Sequence, residues 1–251
     1  MNKLLSENIN RLWSWLIIDE FLKNNITYFY LSPGMRNAPL VKAMAHAQNL
    51  GLKIKIIVCM DERAAGYRAL GQAKATQIPG VLVCTSGTAL ANYMPAVIEA
   101  KKSQTPLIVL SADRPPELIF CDDNQSIDQS NFFGDYVQGE MNLGPPTIEI
   151  SPLALTSSLS NLIFKSIFPQ KGPVHLNCAL REPLDSTFLQ IPDDYLLLAN
   201  NIDENQRPST SYLELMTLPT EKALTDLGQT LIHSKNNLKY RTPRLFDSKS
   251  F

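Results

Sequence analysis

Residues 54–75 read IKIIVCMDERAAGYRALGQAKA. The opening six are mostly β-branched and apolar, the signature of a buried strand. The remainder sets small residues at helical spacing with no proline, the signature of a helix. Between the two stand Asp61 and Glu62, carboxylates aimed out of a strand end where a helix begins. A strand running straight into a helix is half of a βαβ unit, and the same alternation continues outward in both directions.

Further short apolar runs are ITYFYL (26–31), GVLVC (80–84), PLIVLS (106–111) and GPVHLN (172–177), most of them separated by stretches of helical period. Continuous apolar strands are strands covered on both faces. The expected fold is therefore α/β, a mainly parallel sheet with helices on both faces. In such sheets ligands bind at the carboxyl ends of the strands. Four turns with distinctive chemistry fall there: SPGMRNAP (32–39), MDERAAG (60–66), TSGTALANY (85–93) and SADRPPE (111–117).

Composition bounds the rest. The chain has 251 residues, 44% hydrophobic and 19% charged, enough for one large core or two small ones. Lys plus Arg number 23 against 24 Asp plus Glu, a net charge of −1, so no global field draws the chain to nucleic acid or to an anionic membrane. Cys59, Cys84, Cys121 and Cys178 lack metal-ligand spacing and read as buried thiols of a reduced, cytoplasmic compartment, or of an organelle in a plant or alga. The first 25 residues contain an apolar stretch interrupted by Asn8, Asn10, Arg11, Asp19 and Glu20 at helical spacing, an amphipathic helix and not a signal peptide or membrane span.

After Arg181 the pattern changes. Residues 181–220 are rich in Pro, Ser, Asn and Asp and read as a linker wrapping a surface, with no second core. A helix with Ala223, Leu224, Leu227, Leu231 and Ile232 on one face follows a Thr220 cap. The basic segment 238–251 has no pattern.

Each turn has two readings. Glu62 can be a helix-start acid favouring the dipole by roughly 0.3 to 1 kcal/mol, or an acid that exchanges a proton with a ring nitrogen of a ligand. The TSGT turn can be an ordinary cap, or can present free backbone N–H groups to a ligand. Arg36 and Arg114 on one rim suit carboxylates, although a surface pair of Arg114 with Asp113 or Glu117 serves equally. The interior glycines of the DERAAGYRALGQAKA helix call for a close neighbour, and a second subunit's helix is a natural one. His46, His175 and His233 share no metal spacing, and each reads as a satisfied or solvated histidine.

In order and spacing, SPGMRNAPL, DERAAGYRALGQAKA, PGVLVCTSGTALANYMPAVIEA, PLIVLSADRPPEL and NQSIDQSNFFG resemble the N-terminal part of the MenD family, 2-succinyl-5-enolpyruvyl-6-hydroxy-3-cyclohexene-1-carboxylate synthases. The resemblance runs from about Asn8 to Arg181. It implies a pyrimidine-binding domain of a thiamine-diphosphate enzyme over residues 1–181, then a linker and the start of a central domain over 182–251. Glu62 matches the glutamate that protonates the cofactor's pyrimidine ring. Pro33, Thr88 and Asn92 match cofactor-binding positions, and Arg36, Arg114, Asn124 and Gln125 match positions contacting substrate. The implied substrates are 2-oxoglutarate and isochorismate, in menaquinone or phylloquinone synthesis.

The chain departs from the family at Met35, where the family has serine, at Ile119, where it has arginine, and at Asp122 and Asp123, where it has glycine and alanine. The two aspartates are expected to oppose an anionic substrate. The family holds the diphosphate through Mg2+ on a C-terminal domain with a Gly-Asp-Gly motif, which these 251 residues lack. The resemblance thus implies a part inactive until complemented, forming a homodimer or pairing with a C-terminal partner. The alternative is a non-catalytic decoy or regulatory subunit; a related decarboxylase or acetolactate-type enzyme fits SADRPPEL and NQSIDQ less well.

Overall fold

The computed structural model describes residues 8–184, 191–213 and 218–233. The described elements are α1 (Ile9–Lys23), β1 (Tyr28–Leu31), α2 (Ala38–Asn49), β2 (Lys55–Val58), α3 (Glu62–Thr76), β3 (Gly80–Cys84), α4 (Thr88–Ala91), α5 (Met94–Lys102), β4 (Leu107–Asp113), α6 (Pro116–Ile119), β5 (Glu140–Leu143), α7 (Pro152–Ile167), β6 (Pro173–Ala179), α8 (Asp193–Glu204) and α9 (Glu221–His233). The six strands form one sheet in the order β2-β1-β3-β4-β6-β5. Every pairing is parallel.

Strands β3, β4 and β6 are buried throughout, as continuous apolar runs require. Their side chains alternate between two cores. Val81, Val83, Ile108 and Leu110 join α1, α2 and α7 on one face, while Leu82, Cys84, Leu107 and Val109 join α3 and α5 on the other. The five expected strands are present with ends moved by a residue or two. Strand β5, EMNL, has no apolar run to announce it; it is a half-exposed edge paired to β6, with Glu140 opposite His175.

Helix α1 is capped by Asn8, whose side chain accepts from the Asn10 and Arg11 N–H groups. Its polar residues do not form the wet stripe of a simple amphipathic helix: Asn10, Asp19 and Glu20 are buried. The physical reason is a second covering layer. Asn10 Nδ2 donates to the Arg181 and Pro183 carbonyls, and Glu20 accepts from Ser160 Oγ and from the N–H and Oγ of Ser209. Burial raises Asp19 from 3.8 to about 6 despite its ion pair with Lys23.

The expected linker contains α8, started by Pro192 and by Asp193 and Asp194 in its first turn. Tyr195 and Ala199 are buried with Leu12, Trp13 and Leu16, and Trp13 Nε1 donates to Tyr195 Oη at 2.9 Å. Sequence reading missed this helix because only a narrow stripe of it is buried. The described residues up to Tyr212 form one compact unit and those from Leu213 another. In the latter, α9 begins where the Thr220 side chain accepts from the Ala223 N–H, and its apolar residues Leu224, Leu227, Leu231 and Ile232 are exposed. The basic segment 238–251 lies outside the described residues.

Candidate functional site

Parallel pairing sets the ends of β1 to β4 on one sheet edge, and the four turns meet there. Gly34 lies so close to the TSGT turn that a Cβ on it would be 2.5 Å from Thr85 Cβ, so the close approach requires glycine. Ser86 Oγ accepts from Arg114 Nη1, joining the third turn to the fourth. Gln125 Nε2 donates to the Ser86 carbonyl and packs on Gly87, bringing in the loop after α6.

Glu62 opens α3 beside the Asp61 cap, whose carboxylate accepts the Ala64 N–H at 2.8 Å. Asp61 therefore does the capping, and Glu62 is left half-buried with no hydrogen bond or ion pair among the described residues. Its charge faces the neighbouring strand. Burial foremost, with the Glu62 charge adding, pushes the Cys84 thiol up, and both also push up the Tyr93 hydroxyl. The second turn thus looks onto the end of β3 and the start of α5.

The TSGT turn has neither an ordinary side-chain cap nor a free N–H at Gly87. Gly87 takes φ 86°, and its N–H is spent on Gln129 Oε1 at 2.8 Å. Helix α4 is a single turn without a side-chain cap. Thr88 and Asn92 are exposed on it, and the Asn92 amide donates to the Thr88 carbonyl. Pro33 is exposed on the first turn beside Met35, which is 80% exposed. Asn37 precedes α2 without capping it; its Nδ2 donates to the Ser32 carbonyl and its Oδ1 accepts the Gly34 N–H, fastening the turn.

Both arginines are buried. Arg36 donates to the Leu180 carbonyl and to Glu182. Burial, and next the charge of Arg114, lower the Arg36 pKa, with Glu182 and Asp123 opposing. Arg114 pairs with neither expected acid: Nε donates to Asp123 and Nη2 to the Asn124 carbonyl, while Glu117 is taken in a two-point pair by Arg181. Of the two aspartates, Asp123 is the partner of Arg114 and Asp122 is exposed. Asn124 and Gln125 have exposed side chains on this loop. Cys121 also lies there and is exposed, unlike the other three cysteines.

Beneath the turns runs a buried polar network that sequence reasoning missed. Asn177 Oδ1 accepts from Ser111 Oγ at 2.7 Å and Gln129 Nε2 at 2.8 Å, while its Nδ2 donates to Asp113 at 2.7 Å. Asp113 accepts the Arg114 N–H, and Ser111 shares a 2.8 Å hydrogen bond with His175 Nε2. His175 Nδ1 faces Glu140 at 3.5 Å. Burial raises Asp113, with the Asn177 and Arg114 hydrogen bonds opposing. The network anchors both Arg114 and, through Gln129, Gly87. A signal was available: Ser111 and Asp113, and His175 and Asn177, are polar residues two apart in fully buried strands, hence on one face. Of the other histidines, His46 packs edge-on against Trp15 and His233 ends α9.

For Gly66 of α3 a close neighbour lies within the chain. A Cβ at Gly66 would lie 2.9 Å from Ala96 of α5, whereas Gly71 has nothing within 4 Å. Among the described residues no three His, Cys, Asp or Glu are grouped to hold a metal ion, and no helix is long and apolar enough to cross a membrane.

A parallel sheet with a half-buried carboxylate, unpartnered among the described residues, at the carboxyl end of a strand has the architecture of an α/β ligand-binding domain. Residues 14–132 match the family "Thiamine pyrophosphate enzyme, N-terminal TPP binding domain". Residues 14–132 thus carry the N-terminal domain of the thiamine-pyrophosphate enzymes, and the chain is homologous to the MenD proteins. It is 48% identical over 221 residues to the 2-succinyl-5-enolpyruvyl-6-hydroxy-3-cyclohexene-1-carboxylate synthase of Syntrophus aciditrophicus, covering 86% of this chain and 37% of the relative. It is 38% identical over 232 residues to that of Prosthecochloris aestuarii and 40% over 233 to that of Pelodictyon phaeoclathratiforme, covering 92% and 93% of this chain and 39% of each relative. The chain thus spans somewhat over a third of the length of the curated relatives it matches.

Proposed function

We propose that the chain is the pyrimidine-binding part of a MenD-type synthase that decarboxylates 2-oxoglutarate and joins the resulting succinyl unit to isochorismate, in menaquinone or phylloquinone synthesis. The observation that carries this is Glu62, a half-buried carboxylate relieved of capping by Asp61 and left without a partner among the described residues. A carboxylate so placed can hold a proton and pass it to a ring nitrogen facing it. Thiamine diphosphate, when bound, supplies the ring that stabilises the carbanion of decarboxylation. Its pyrimidine half is assigned to the Pro33 turn, the exposed Thr88 and Asn92, and Glu62, which all lie on segments that follow strands of the parallel sheet.

Arg36 and Arg114 are the cations offered to substrate carboxylates, with Asn124 and Gln125 beside them. The pyrimidine-binding part is assigned to residues 1–181, and 182–251 lead through α8 towards a further domain. The diphosphate and its Mg2+ are assigned to a C-terminal part outside these residues. Pairing with a second copy or with that part supports itself on the exposed small residues Ala64, Gly71 and Ala75 along α3. The test mixes this chain with the remaining part of such a synthase, thiamine diphosphate and Mg2+, and follows 2-oxoglutarate decarboxylation. Turnover only in the mixture is expected. Two folded parts that associate and bind the cofactor without turnover would contradict the reading.

A further inference from the structure

We infer that Asp123 is an internal carboxylate that occupies Arg114 and withholds it from external carboxylates, so that a ligand of this rim must displace it. The inference rests on the carboxylate-binding reading of Arg114 above.

Three observations carry it. First, each nitrogen of the Arg114 guanidinium donates within its own chain: Nη1 to Ser86 Oγ, Nη2 to the Asn124 carbonyl and Nε to Asp123. Of these partners only Asp123 is charged, and a carboxylate on guanidinium N–H groups is the geometry that a bound carboxylate ligand would adopt. Second, the pair can be reached. The Asp123 side chain is 33% exposed against 11% for Arg114, so the acid sits on the solvent side of the arginine. Third, the segment holding Asp123 is bracketed by Asp122 at φ 56° and Gln125 at φ 59°, left-handed conformations that L-residues adopt only at a free-energy cost. A loop held in this way by the Asp123 contact gains backbone freedom when the contact is released.

The rim is also balanced in charge. Arg36 meets Glu182 and Arg114 meets Asp123, two cations against two anions. A single carboxylate replacing Asp123 gains little over what it displaces. A ligand with two carboxylates, able to meet Arg36 as well, gains more, because Glu182 is 69% exposed and yields Arg36 at little cost. The device therefore selects polycarboxylates over monocarboxylates.

The test uses the 251-residue chain, its Asp123→Asn variant and Asp122→Asn as control. Phenylglyoxal modification of Arg114 is timed by peptide mass spectrometry, with and without succinate and acetate as probes. Asp123→Asn is expected to speed modification of Arg114 about tenfold and Asp122→Asn to leave it within twofold. Succinate is expected to protect Arg114 more strongly in Asp123→Asn than in the parent, and acetate less than succinate in both. Equal rates in the parent and Asp123→Asn, or equal acceleration by both substitutions, would overturn the inference. Arg114 released by Asp123→Asn yet protected by neither probe would instead overturn its reading as a carboxylate site.

Discussion

Replacing Asn177 by leucine removes the hub of the buried network while nearly conserving volume. Asp113 loses a hydrogen bond to an ionised group, worth about 1.5–3 kcal/mol, and Ser111 and Gln129 each lose a neutral one worth about 0.5–1.5 kcal/mol. These groups are buried, so water does not replace the lost partner. The expected loss is about 3–5 kcal/mol, which at about 2–4 °C per kcal/mol for a unit of this size lowers Tm by about 6–20 °C. The loss should also depend on pH. The Asn177 amide bonds the ionised form of Asp113 and so holds down a pKa that burial raises. Without it the folded state grips the Asp113 proton more tightly. The deficit relative to the parent is then smallest at low pH, where the carboxyl is protonated in both folded proteins, and grows as pH rises through the parent's raised folded pKa towards the variant's higher one. Calorimetric unfolding of both proteins at pH 4 and pH 7 measures this. A Tm decrease below about 3 °C, or a decrease equal at both pH values, would refute the reasoning.

Other perturbations have opposite signs. Gly34→Ala drives a methyl into Thr85 and should cost about 1–3 kcal/mol by overpacking, read as a lower midpoint in urea. Gly71→Ala, on an exposed helix position with open space, should stabilise by about 1 kcal/mol in the same assay. The raised Asp19 pKa means that the folded state binds its proton more tightly between the unfolded value near 3.8 and about 6. Stability should therefore fall by up to about 3 kcal/mol as pH rises through that window, at about 1.4 kcal/mol per pH unit. In Asp19→Asn, unfolding measured from pH 4 to pH 6.5 should lack that part of the slope.

The sheet was legible because its central strands are unbroken apolar runs, a pattern that only a two-sided cover explains. The edge strand β5 was not, since EMNL draws its place from pairing with β6 and not from any local preference. Helix α8 was hidden for a related reason: its buried contacts, Tyr195 on Trp13 and Asp203 on the Trp15 indole, lie more than 180 positions away in sequence. The site's residues were legible as types on four turns, because strand ends in a parallel sheet share one edge. Their partners were not. Nothing local shows that Asp61 rather than Glu62 does the capping, that Gln129 consumes the Gly87 N–H, or that Asp123 closes on Arg114. Ser111, His175 and Asn177 could have been found as polar residues in buried strands.

The central claim is that Glu62 serves a ligand and not the fold, and Glu62→Gln in the mixed, cofactor-supplied assembly tests it most directly. The side chain makes no hydrogen bond or ion pair among the described residues, so the amide should leave Tm within about 1 °C. Removing a proton-exchanging group should lower the rate of 2-oxoglutarate decarboxylation by about 10²–10⁴-fold. An unchanged rate in Glu62→Gln, or a rate that falls only as far as the folded fraction does, would contradict the account.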